Sequence, residues 1–237
     1  MEAILKYGSA LQYWLLKLSG STPVIIVFAL LICATCMFTP GFYAMLFGEP
    51  NTKQFNFIFF LTGMSVLTFA IAPLLANKFI LQQTPAAIGL QRPQQPRRAL
   101  TLTLIGLAYG IPVILFLVNA ANVSAYYTFR PCGLPTFLFM LLVIFPVFYL
   151  AEELFFRGFL FLTLYEKIGW HSYWVTDYIF TVAHIGKPPL EILLCIPASI
   201  LLNYITLNSR SIIPAFVVHT CMGILAFSLV NYRLIVW

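Results

Sequence analysis

The sequence predicts an all-α, polytopic membrane helix bundle, with about seven transmembrane helices and an N-terminal helix lying in the interface. Three observations carry that prediction. Hydrophobic residues make up 61% of the 237, and mean hydropathy is +0.94 over the whole length. Charged residues are only 8%, against about 25% in an ordinary soluble domain. The apolar residues also gather into runs close to the roughly 20 that one bilayer crossing needs. Together these exclude a soluble globular domain, a disordered chain and a nucleic-acid binder. The net charge of +6 is spread between apolar runs and reads as a topology signal. We expect one membrane domain over 1–237.

Taken in order, residues 4–18 place Ile4, Tyr7, Leu11, Trp14, Leu15 and Leu18 at helical spacing, with Lys6, Gln12 and Lys17 elsewhere. That pattern predicts an amphipathic interfacial helix within 1–20. Thr22-Pro23 supplies a hydroxyl cap and a first-turn proline for a first span over about 23–39, which Pro40-Gly41 should end. Further spans are expected at about 57–76, 99–118, 134–164, 172–185, 189–207 and 211–230. Ser211 and Pro214 start the last as Thr22 and Pro23 start the first. The fourth is too long for one perpendicular crossing, so tilting or projection is expected.

Between spans, Gln82–Arg98 is the one substantial loop, basic and rich in Pro and Gln. With the N-terminus on one side, loop Lys and Arg divide eight to four in favour of that side, which predicts a cytoplasmic N-terminus. Of the five cysteines, Cys33 and Cys36 form a CxxC inside an apolar run. Such a motif needs an accessible thiolate to do redox or metal chemistry, so the pair reads as small hydrophobes. Residues 1–20 lack the apolar core and cleavage site of a secretory signal.

Ionisable groups inside apolar runs are costly and normally face a bundle interior or a wet cavity. Three clusters stand out. In Ala151–Gly158, Glu153 and Arg157 are four apart, on one helix face and suited to an ion pair. Glu152 is turned about 100° away and is left free to act as a general base. In Phe180–His184, the imidazole ends a span, with Asp177 two turns earlier expected to face the interface. His219 lies alone within the last span. One carboxylate and two imidazoles can activate a water and stabilise an oxyanion, or ligate a metal. The metal reading ranks second, since neither HExxH nor a Cys/His ligand set is present.

In this order and on separate spans, the clusters resemble the CAAX-processing and bacteriocin-processing (CPBP, or Abi) family of intramembrane glutamyl endopeptidases. Its EExxxR motif is matched by Glu152, Glu153 and Arg157, and its FxxxH motif by Phe180 and His184. Its third motif, a His followed four residues later by Asn, gives His219 and Gly223 here. The Ile88–Pro93 loop and the Asn208–Pro214 lead-in to the last span are also similar to the family, so the protease core is expected over 85–230. The resemblance implies that Glu152 activates water with His184, that Glu153 and Arg157 hold the helix geometry, and that His219 stabilises the oxyanion. Gly223 has no side chain to assist, and Asn203 on the neighbouring span is the substitute donor considered. It further implies a membrane-associated peptide or protein substrate, no cofactor and no metal, and a multi-pass protein of a bacterial inner membrane. The alternatives are a zinc-dependent CAAX-type protease using the same residues, and a non-catalytic immunity or scaffold protein.

Overall fold

The computed structural model describes residues 22–48 and 54–236. The expected interfacial helix at 1–20 lies outside the described residues, as does the Cys36 side chain. Six helices are long and apolar enough to cross a membrane: α1 (Thr22–Phe47), α2 (Phe55–Leu81), α3 (Pro96–Leu117), α5 (Leu134–Ile168), α7 (Pro189–Ser209) and α8 (Ile213–Asn231). Two shorter ones, α4 (Ala121–Tyr127) and α6 (His171–Val182), join them. Strand β1 (Cys132–Gly133) pairs in parallel with β2 (Ile235–Val236) in a two-residue contact; the rest of the architecture is helical.

Two expectations change. The run at 172–185 forms a helix of only 12 residues, about 18 Å long at 1.5 Å per residue, so six helices rather than seven have crossing length. Helix α6 instead packs along α7. It carries the chain from the end of α5 into the bundle, and the 183–188 turn completes the return to the start of α7. Nor does Pro40 end α1. It sits in the first turn after a kink at Phe38, where a missing N–H goes unneeded. The N–H groups of Phe38 and Phe42 still bond the carbonyls of Ala34 and Phe38.

Helix α5 is the centre of the bundle. Every residue from Ala151 to Leu164 is buried, the mark of a helix surrounded by protein. Its backbone widens into π-helical turns at Met140–Ile144 and Leu154–Leu162, and such turns are frequent at functional sites. Phe155, Phe156 and Phe159 pack with Phe69 of α2, Ile25 and Ala29 of α1 and Phe180 of α6. On the other side, α3 lies close against α8. Gly106 and Gly110 make this possible: a Cβ there would meet Val218 at 2.8 Å and Met222 at 2.5 Å. Small residues four apart allow this close backbone approach in membranes.

The 82–95 connection is pinned rather than loose. Ile212 N–H donates to Gly89 O (3.1 Å), Ser211 Oγ to Gln91 O (2.6 Å), and Gln91 Nε2 to Arg210 O (2.9 Å). The Ser211 oxygen also accepts the Ile213 N–H at 3.2 Å, which caps the start of α8. Arg98 is hydrogen-bonded to Asn208 at the same end. At the opposite end, Asn231 ties α8 to Tyr127 O and the Phe129 N–H.

Candidate active site

The EExxxR segment enters the centre of the bundle on α5. Glu153 and Arg157 are wholly buried, and Arg157 Nη1 lies 3.4 Å from Glu153 Oε1. The guanidinium also stands over the Phe180 ring, 4.3 Å from its centroid, a cation–π contact that gains strength away from water. The same Glu153 oxygen accepts a hydrogen bond from His219 Nδ1 at 2.7 Å. Glu153 thus joins α5 to α8 as well as holding Arg157.

Glu152 has different surroundings. It is 8% exposed, makes no hydrogen bond among the described residues, and points one oxygen at His219 Nε2, 3.9 Å away. Because Nδ1 of His219 donates to Glu153, the ring turns its Nε2 edge towards Glu152. His184 is held differently. Its Nδ1 sits 2.8 Å from Phe180 O, and a carbonyl only accepts, so Nδ1 carries the proton and Nε2 keeps its lone pair. Phe180 links the two imidazoles: its ring centroid is 4.4 Å from that of His184 and 6.3 Å from that of His219.

The remaining sequence-derived candidates fall into two places. Asn203 Nδ2 donates to Asp177 Oδ1 at 3.0 Å in the buried α6–α7 seam. This corrects two expectations. Asp177 is buried (4% exposed) rather than at the interface, and the Asn203 donor is engaged there instead of serving the His219 end. A carboxylate taken out of water needs such a partner, and Asn203 supplies one. Gly223 lies one turn beyond His219 on the same helix face. Its missing side chain is replaced by a neighbour: a Cβ at 223 would overlap the hydroxyl and ring of Tyr149. The Tyr149 ring packs at a tilt against His219, centroids 4.5 Å apart, and is one helical turn before Glu152 on α5. Reading the clusters alone missed Tyr149, although its i, i+3 spacing to Glu152 was available.

A second polar group lies where the 183–188 turn meets α4. Tyr127 Oη donates to Glu191 Oε1 (2.6 Å), and Lys187 Nζ is 3.0 Å from the same oxygen. Burial, with the Glu191 carboxylate adding to it, holds the Tyr127 phenol well above its ordinary range. Burial alone would lower the Lys187 ammonium, but its anionic neighbours outweigh that and keep it raised. Among the described residues no three His, Cys, Asp or Glu side chains gather as a metal site would require.

The helical bundle thus encloses a buried acid and two imidazoles, one hydrogen-bonded to a second carboxylate, groups able to move a proton to and from a bound water. Residues 134–225 match the family model described as type II CAAX prenyl endopeptidase, Rce1-like. All three motifs lie inside that stretch, so the resemblance noted in the sequence holds over those residues of the chain. No curated protein and no solved structure matches the chain.

Proposed function

We propose that the protein is a glutamyl intramembrane endopeptidase, which cleaves a peptide bond by direct attack of water without an acyl-enzyme. The observation that carries this reading is the unequal treatment of the two carboxylates. Glu153 is spent on His219 and Arg157, while Glu152 faces the same imidazole with no hydrogen bond of its own. A carboxylate left free in a low-dielectric site is a general base. A water held between Glu152 and the lone pair on His184 Nε2 is thereby activated. Its oxygen bonds to the substrate carbonyl carbon, its proton passes to Glu152, and the carbonyl π pair moves onto oxygen. His219, with Nδ1–H anchored on Glu153, takes a proton from solvent onto Nε2 before attack and donates that Nε2–H to the oxyanion. The C–N bond then breaks, and Glu152 returns its proton to the leaving amine.

The substrate is a membrane-associated peptide or protein. The residue pattern supports an N-terminus on the cytoplasmic side of a bacterial inner membrane. To test the reading, the protein is reconstituted in liposomes with an internally quenched CAAX peptide, farnesylated and unfarnesylated. E152Q should lose about 10²–10⁴ in kcat, the usual worth of a general base, with zinc content unchanged. Wild-type turnover by E152Q overturns the glutamyl mechanism, and stoichiometric zinc with chelator-sensitive activity transfers it to the metal.

A further inference from the structure

We propose that Tyr149 is a further catalytic residue, whose phenol donates a hydrogen bond to the substrate oxyanion beside His219. This rests on the endopeptidase reading above and adds a residue to it. Three observations converge. Tyr149 precedes Glu152 by one turn of α5, so its side chain leaves the helix on the side of the free carboxylate. Its ring packs against His219, centroids 4.5 Å apart. Its hydroxyl fills the space that any side chain at position 223 would need, and position 223 shares a face of α8 with His219. The phenol therefore stands where the Glu152 face of one helix meets the His219 face of another.

A ring that merely filled the gap at Gly223 would have no use for a hydroxyl. Tyr149 is only half-buried, and a phenol O–H donates to an oxygen that comes within its reach. Tyr149 makes no hydrogen bond among the described residues, yet each of its ring contacts is satisfied by Phe145, Phe148 and His219. The unused donor is matched by the oxyanion that forms during attack. In that step the Tyr149 O–H stays intact: water supplies the nucleophilic oxygen, Glu152 takes the proton, and the phenol and His219 Nε2–H share the charge developing on the carbonyl oxygen. Gly223 and Tyr149 then act as one unit, since glycine is what lets the phenol reach this place.

The test compares Y149F, G223A, E152Q and wild type in the same liposome assay with the farnesylated, internally quenched peptide. Y149F keeps the ring and removes the donor. It should lose kcat by about 10²–10³-fold, as for deletion of one oxyanion-hole donor, with KM unchanged. G223A leaves the phenol chemically intact but displaces it, and should lose kcat in the same sense. A peptide phosphonate that mimics the tetrahedral anion should bind Y149F more weakly in proportion to the lost kcat, a readout that space-filling would not move and that also serves if turnover is too slow to measure. Turnover by Y149F or G223A within threefold of wild type overturns the proposal, as does a change confined to KM. An inactive E152Q beside a fully active Y149F leaves the protease reading standing and removes Tyr149 alone. An active E152Q removes the protease reading itself.

Discussion

Helices α1 and α5 have the same mean hydropathy over their most apolar windows, 2.3, and opposite positions in the molecule. Helix α1 carries no Asp, Glu, Lys, Arg or His between Thr22 and Phe47. It turns Val27, Leu31, Phe38 and Met45 outwards and buries a narrow stripe around Ile25, Ala29 and Ile32. Helix α5 is buried on every side from Ala151 to Leu164 and encloses Glu152, Glu153 and Arg157. Average apolarity therefore locates a span without saying what surrounds it. Lipid offers a charged group no partner, whereas a helix enclosed by others can be given one at 2.7 Å from α8 and another at 3.4 Å from its own next turn. Ionisable residues mark the enclosed helix because only there can they be compensated.

That contrast can be broken at its strongest point first. R157M removes the cation from beside Glu153 and leaves a buried carboxylate sharing only His219. Loss of one member of a buried pair should cost about 3–5 kcal/mol, read as a large fall in Tm of the detergent-purified protein. A stability unchanged within error would show that Glu153 does not depend on this partner. The next effect concerns packing without charge. G110L forces a side chain into Met222 across the α3–α8 contact, and overpacking of this kind should cost about 1–3 kcal/mol. Chemical unfolding in mild detergent measures it, and a neutral result would mean that the two helices are not in close contact. Smallest of all, L31A on the outer face of α1 should change stability by less than about 0.5 kcal/mol. A larger loss would show that this face is covered by protein instead of lipid.

The same division explains which parts of the protein were legible beforehand. All six crossing helices begin within about three residues of where runs of apolar residues and Pro or hydroxyl signals put them, and four of them end within about four, in keeping with the usual scatter of helix ends. Helix α1 differs because Pro40 fell in a first turn, where the residue that stops a helix also starts one. The surplus seventh span has a similar cause. Residues 172–185 are apolar enough to suggest a crossing, but Asp177 finds Asn203 rather than headgroups, so the segment packs one face against α7 as a short helix and leaves Trp174 and Tyr178 exposed. Charge on Asp177 alone does not distinguish those outcomes.

By itself, then, the amino-acid order determined the membrane class, the positions of the long helices, and the spacing that sets Glu153 against Arg157 one turn apart. Each of these depends on contacts within a few residues or on transfer from water to lipid, which composition controls. Only the tertiary structure decided that His219 docks on Glu153, that Asn203 is taken by Asp177, and that Tyr149 occupies the space left by Gly223. Those outcomes depend on which helix faces meet. Side chains 26 to 74 positions apart become neighbours through packing geometry that no local pattern encodes.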